Sequence, residues 1–305
     1  VRKSWRRIRK RIKNWFIYIL VKAGLRWINS VQRSTAIKFL QTLSLLGFYL
    51  VRAERQKTIK HLTMVYGKEK DEWEIYQMAK AVFLNLGRNM ADAFRIPCYN
   101  SQNIDRIVQA QGLDKLDRAL QQGKGVLALT CHVGNWELLA AYVAMKGYAT
   151  NVVGAPIYDP RLDDLVINNR LHAGMKYIAR GSATREIIRA LRRNEIVGLL
   201  IDQDTKHVDG VFVNFLGKQA YTPVGPVILA MKTQAIVVPV AIHIQKDNVH
   251  LIEFDEELDL VFTGDENYDR IHNTQLCSNA IEKFIRKYPT QWVWMHRRWK
   301  TKPGD

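Results

Sequence analysis

The segment Thr130-Cys131-His132-Val133-Gly134-Asn135-Trp136-Glu137 brings an imidazole, a thiol, a turn-forming glycine and a carboxylate into one short stretch. His132 follows the apolar run Val126–Thr130, and Glu137 falls in the first turn of the helix expected next. A turn at Gly134 can fold the Glu137 carboxylate back onto one nitrogen of the His132 ring. A carboxylate there fixes the tautomer and stabilises the imidazolium, which frees the other nitrogen to take a proton from a hydroxyl. The helix start also offers unpaired backbone N–H groups to a developing oxyanion. The pattern therefore predicts general-base chemistry, with His132 as the base and Glu137 as its orienting carboxylate.

Other chemistries find less support. The same spacing recurs at His250 and Asp255, but there it lies in the alternating run Val249–Phe254. That run has no turn glycine and no following helix, so the match reads as chance. Cys131 is adjacent to His132, and neighbours on a strand point to opposite faces, so it reads as a small buried residue rather than a nucleophile. No G-x-S-x-G elbow, H-E-x-x-H helix, P-loop or G-x-G-x-x-G occurs, which leaves serine hydrolase, zincin and nucleotide-binding readings without a motif. Cys98, Cys131 and Cys277 are widely spaced and form no C-x-x-C pair. A disulfide framework or cysteine zinc site is not expected, and the surroundings read as reducing.

The elements that position these groups follow from patterning. The 305 residues allow one large domain or two small ones, and 47% hydrophobic with 25% charged residues is a globular composition. Residues 1–95 read as helical. Ala36, Phe39, Leu40, Leu43, Leu46 and Leu50 recur at helical spacing, as do Ala79, Val82, Phe83, Leu86 and Met90, and Pro97 closes the region. Beyond about residue 120, buried strands are expected at Val126–Thr130, Ala149–Gly154, Ile196–Ile201, Ala235–Ile244 and Val249–Phe254. Helices are expected at Glu137–Lys146, Leu162–Ala173, Ala183–Arg193, Pro223–Thr233 and Ile271–Tyr288. Apolar strands alternating with helices predict an α/β fold, a mixed, mostly parallel sheet flanked by helices. Sites in such sheets lie at the carboxyl ends of strands, where Cys131-His132 and Asp202-Gln203-Asp204 stand.

Charge sets the partner class. Lys and Arg number 46 against 29 Asp and Glu, a net charge of +17, which calls for an anionic partner: nucleic acid, membrane or phosphorylated substrate. Arg2, Lys3, Arg6, Arg7, Arg9, Lys10, Arg11 and Lys13 precede the apolar run Trp15–Val21, which Lys22 and Arg26 interrupt. The run is too short and too charged to span a bilayer and has no cleavage site after it. Residues 1–35 read as a basic amphipathic helix in a membrane interface, ahead of one α/β domain over 36–305; the plainer reading is a basic surface helix packed on the core. Trp292, Trp294 and Trp299 interleave with His296, Arg297, Arg298 and Lys300. That mixture suits a lipid headgroup layer, a phosphate pocket or single-stranded nucleic acid, or else core tryptophans among solvated cations. Nucleic acid rests on charge alone, since no zinc finger or RRM signature occurs, and it is not the expected partner. Arg185, Arg189, Arg192 and Arg193 form one basic face, and Arg52, Arg55, Lys57 and Lys60 another. Either is a solvated face or a dock for an acidic carrier protein.

Several segments then line up in order: Phe83-Leu84-Asn85-Leu86-Gly87, His132–Glu137 in the wording H-x-G-N-W-E, and Tyr158–Asp163 leading to Asn169-Arg170. After them come Gly198–Asp204, Gly210–Gly217 with Thr222-Pro223, and Gln291–Lys300. Over nearly its whole length the chain resembles the lipid A biosynthesis branch of the bacterial lysophospholipid acyltransferase superfamily. That branch includes the mannoside acyltransferases of mycobacterial phosphatidylinositol glycolipids. The resemblance implies transfer of a fatty acyl group from acyl carrier protein or coenzyme A to a hydroxyl of a glycolipid such as a lipid A precursor. His132 and Glu137 would be catalytic, and Arg170, Asp202, Asp204 and Asn135 would bind substrate. No metal, cofactor or covalent enzyme intermediate is implied. The expected place is the cytoplasmic face of a bacterial inner membrane, with an anionic membrane surface as a partner. A lysophospholipid or phosphatidylinositol-mannoside acceptor is the alternative. Leu216 replaces an aromatic common in the family, a change expected to touch acyl-chain packing.

Overall fold

The computed structural model describes residues 2–180, 183–205 and 208–304. The side chains of Arg2, Lys3, Arg6, Arg7, Lys10 and Arg11, most of the N-terminal basic run, lie outside the described residues. Four helices come first: α1 (Arg2–Ser30), α2 (Arg33–Leu50), α3 (Arg52–Tyr66) and α4 (Glu72–Phe94). Helix α4 opens on a capping box in which the Asp71 carboxylate accepts from the Glu74 N–H and the Glu74 carboxylate accepts from the Asp71 N–H. It stops just short of Pro97, which sits in a 3₁₀ turn. Gly87 lets α2 cross closely, since a Cβ there would lie 2.5 Å from the Leu40 carbonyl oxygen, a physical reason for the glycine in the Phe83–Gly87 segment.

The apolar residues that recur at helical spacing on α2 divide between core and surface. Ala36, Ile37, Leu40 and Phe48 are buried, whereas Phe39, Leu43, Leu46 and Leu50 are exposed, Leu50 to 79%. Periodicity identified the helix but could not say which of its apolar residues met protein. Ile28, near the end of α1, shares a small core with Ala36, Ile37, Leu40 and Ala91, so packing crosses residue 35.

The sheet follows: β1 (Val108–Gln111), α5 (Leu113–Gln121), β2 (Val126–Thr130), α6 (Trp136–Met145), β3 (Thr150–Gly154), α7 (Pro160–His172), β4 (Lys176–Ala179), α8 (Ala183–Arg192) and β5 (Ile196–Leu200). Next are β6 (Gly210–Phe215), β7 (Lys218–Pro223), α9 (Gly225–Thr233), β8 (Ile236–Ile244), β9 (His250–Phe254) and α10 (Glu266–Lys287). Seven strands run in the order β1-β9-β8-β2-β5-β3-β4. All neighbours pair in parallel except β8 and β9, which are antiparallel. The fold is the expected α/β class with a mixed, mostly parallel sheet between helices. Side chains alternate across it: Leu127 and Leu129 join a core with α8, α9 and α10, while Val126 and Ala128 join one with α5 and α6.

Strands β6 and β7 form a separate antiparallel hairpin closed at Leu216-Gly217, both at positive φ (51° and 77°), the geometry of a two-residue hairpin turn. Leu216 is buried in the protein core and its N–H donates to Glu282. The expected acyl-chain role is corrected accordingly: Leu216 packs on its own protein.

Candidate active site

Strand β2 ends at Thr130 and β5 at Leu200, and these two residues are partners in the parallel register. Extending that register by two positions sets His132 beside Asp202, 70 positions away. The Asp202 carboxylate, fully buried, accepts from His132 Nδ1 at 2.7 Å and from the His132 backbone N–H at 2.8 Å. A third donor, Trp292 Nε1, reaches it at 2.7 Å. Burial alone would raise the Asp202 pKa. The charge and hydrogen bonds of His132, with that of Trp292, outweigh it and hold the group at about 2. Asp202 is thus an anion at neutral pH; His132 Nδ1 donates to it, and Nε2 faces Gln203.

The loop after β2 is pinned from several sides. Gly134 has φ +61°, and a Cβ there would fall 2.0 Å from the Ile242 carbonyl oxygen. Its N–H donates to the Gln291 carbonyl, and the Val293 N–H donates to the His132 carbonyl, so the C-terminal segment straps the loop down. Trp136 packs its ring edge-on to His132 at 4.6 Å between centroids.

Glu137 is where the sequence placed it, in the first turn of α6, but it does not meet His132. Its carboxylate pairs with the Arg170 guanidinium of α7 in a fork, at 3.0 Å (Nε) and 2.5 Å (Nη2). The carboxylate that meets His132 is that of Asp202, not that of Glu137. Burial lowers the Arg170 pKa, and the bond to Glu137 more than offsets this, raising it. Arg170, expected to hold a substrate anion, already holds a protein one. Asn135 is corrected too. It is buried, caps α6 by accepting from the Leu138 N–H, and donates to the Asn89 carbonyl. Asp204 accepts from the N–H and hydroxyl of Thr301 and borders an open cleft of about 400 Å³.

Two residues of the site escaped the sequence reading. The Gln203 amide nitrogen lies 2.8 Å from His132 Nε2 and 2.7 Å from His296 Nε2, bridging the two rings. Gln203 and His296 both line the cleft. Burial, and then the charge of His132, lower the His296 pKa. The available signals were the position of Gln203 between two strand-end aspartates and that of His296 among the C-terminal cations.

The family model described as bacterial lipid A biosynthesis acyltransferase matches residues 4–301. The chain belongs to that family. A phosphatidylinositol mannoside acyltransferase of Mycobacterium tuberculosis is 30% identical over 161 residues, 50% of this chain and 50% of the relative. The lipid A biosynthesis lauroyltransferase of Escherichia coli is 26% identical over 238 residues, covering 77% and 76%. The E. coli palmitoleoyltransferase is 24% identical over 250 residues, covering 80% and 78%. The chain thus spans about half the length of the mycobacterial relative and about three quarters of the others.

The remaining candidates in this family member have structural explanations. Trp292, Trp294 and Trp299 are buried against one another and the core, which removes them as stacking platforms for nucleic acid. Arg298 is also buried, donating to the Tyr221 carbonyl and the Thr222 hydroxyl, and desolvation lowers its pKa to about 10. Cys131 is fully buried, and desolvation raises its thiol pKa well above the usual value. His250 does not meet Asp255. Its Nε2 reaches Asp92 at 2.8 Å in a buried cluster with Arg33 and Tyr99, while Asp255 pairs with Lys283. The second copy of the spacing is coincidental, as read.

Proposed function

We propose that the protein transfers a fatty acyl group from a thioester donor, acyl carrier protein or coenzyme A, to a hydroxyl of a lipid A precursor or similar glycolipid. The observation that carries this reading is the His132–Asp202 pair, whose Nε2 side meets Gln203 on the wall of an open cleft. The acceptor O–H gives its proton to Nε2 as its oxygen attacks the thioester carbonyl. The tetrahedral adduct then collapses, the C–S bond breaks, and the leaving thiolate takes the proton back from the imidazolium. Charge and protons balance with no metal, redox partner or enzyme ester. Asp202 stays ionised and stabilises the imidazolium. The Gln203 amide stands where the acceptor oxygen must arrive, 2.8 Å from Nε2, and has to give way to it. Glu137 and Arg170 act as a positioning pair that ties α6 to α7.

The same reading places the protein on a membrane surface, at the cytoplasmic face of the inner membrane where a thioester donor is available. Support comes from the N-terminal helices. Trp15, Phe16, Ile19 and Leu20 of α1 are exposed, as are Phe39, Leu43, Leu46 and Leu50 of α2. Trp27 and Phe39 join the two sets edge-to-face at 4.8 Å. Apolar patches of that extent on a basic protein suit an anionic lipid interface. Among the described residues no single helix is long and apolar enough to cross a membrane; α2 and α3 reach that test only together, across an 87° bend.

A second acceptor, a phosphatidylinositol mannoside, is favoured by the identity to the mycobacterial relative. The test offers purified protein labelled acyl-carrier protein and labelled acyl-CoA, each with a lipid A precursor, a phosphatidylinositol mannoside or a lysophospholipid. Label in a glycolipid supports the proposal and names the acceptor. Label only in the lysophospholipid, or in none, refutes it.

A further inference from the structure

Arg170 is committed to Glu137 and Arg298 is buried, so neither is available to an anionic substrate. The cleft beside His132 holds other cations. Lys57 reaches it from α3, and Arg297 and Lys300 reach it from the C-terminal segment. Its two carboxylates are already engaged. Glu54 pairs with Lys57 at 2.6 Å, and Asp204 accepts from the N–H and hydroxyl of Thr301. Arg297 and Lys300 are exposed and pair with no carboxylate among the described residues. Gln203, which lines the same cleft, lies 2.8 Å from His132 Nε2, so one side chain links the cleft to the proposed base.

We propose that this cleft binds a phosphate ester, held by Arg297 and Lys300, the cations of its lining that pair with no carboxylate among the described residues. A guanidinium and an ammonium lining one cleft suit the oxygens of a phosphate. The volume of about 400 Å³ admits a phosphate with the sugar or pantetheine that carries it. Only the identity of that carrier rests on the acyl-transfer reading: a glycolipid headgroup or the phosphopantetheine arm of the donor.

The test is equilibrium titration by calorimetry of glucose 1-phosphate, 4′-phosphopantetheine and, as the uncharged comparison, glucose. The proteins are the wild type, Arg297→Gln/Lys300→Gln, and Arg185→Gln/Arg189→Gln on the exposed face of α8. Far-UV circular dichroism confirms that each is folded. The expected result is that a phosphate ester binds the wild type, glucose does not, and the cleft variant loses at least tenfold in affinity while the α8 variant does not. A loss confined to glucose 1-phosphate assigns the headgroup, and one confined to 4′-phosphopantetheine assigns the donor. The proposal is overturned if neither ester binds, if the cleft variant binds like wild type, or if the α8 variant is weakened equally. Titration needs no turnover, so phosphate binding without acyl transfer would overturn the function and leave the site standing.

Discussion

At the residue scale, the imidazole and two carboxylates have separable jobs. Asp202→Asn should keep the fold but lose control of the His132 tautomer, lowering kcat by about 10⁴-fold, the scale seen when a triad aspartate is replaced. Glu137→Gln acts otherwise. It strands the half-buried Arg170 charge and should destabilise the protein by roughly 2 kcal/mol, between exposed and buried ion pairs. Urea unfolding should show that loss, and Glu137→Gln/Arg170→Gln should recover part of it. Titration offers a second check. Asp202 is depressed from 3.8 to about 2 in the folded protein, so its contribution is present above pH 4 and lost as pH falls toward 2. Asp202→Asn should flatten that part of the stability profile.

At the element scale, the site depends on the turn that releases His132 from β2. Gly134→Ala places a Cβ 2.0 Å from the Ile242 carbonyl oxygen at φ +61°, so it should abolish folding or activity. Gly198→Ala, whose nearest neighbour would be 3.8 Å away, should be tolerated; equal thermal melts for the two variants would contradict this. The strands that carry the site were legible because they are continuous apolar runs covered on both faces. β1 (Val-Gln-Ala-Gln) and α5 (Leu113–Gln121) were not, being short and largely polar. The β6–β7 hairpin was hidden because its turn is Leu-Gly rather than Asn-Gly. Glu137 was legible as a first-turn carboxylate, but its partner was not. The nearest acid in sequence looked like the partner of His132, whereas the actual one comes from the neighbouring strand. Finding it requires knowing that β2 lies beside β5, and local pattern does not contain strand order.

At the scale of the whole molecule, the sheet carries the candidate site and the N-terminal helices present exposed apolar residues. Helix α3, which supplies Lys57 to the cleft, follows α2 directly across an 87° bend. The basic and aromatic residues of the N-terminal segment read as an interfacial helix. The sequence could not show that α2 extends the exposed face, because an outward apolar stripe has the same period as a buried one. Phe16→Glu/Leu20→Glu and Leu46→Glu/Leu50→Glu should each weaken partition onto vesicles with anionic lipid by at least tenfold in a sedimentation assay. Wild-type binding should fall as salt rises, because the +17 net charge contributes through screened attraction. Unchanged partition would return these helices to an ordinary surface role.

The central claim is that His132, held by Asp202 rather than by Glu137, is the base for acyl transfer. Its most direct test is the pH–rate profile of transfer from a labelled thioester donor to the glycolipid acceptor, for wild type, His132→Ala, Asp202→Asn and Glu137→Gln. We expect no transfer from His132→Ala, a displaced profile from Asp202→Asn, and a lowered rate with the wild-type profile from Glu137→Gln. A displaced profile from Glu137→Gln together with a wild-type profile from Asp202→Asn, or full activity in His132→Ala, would contradict the account.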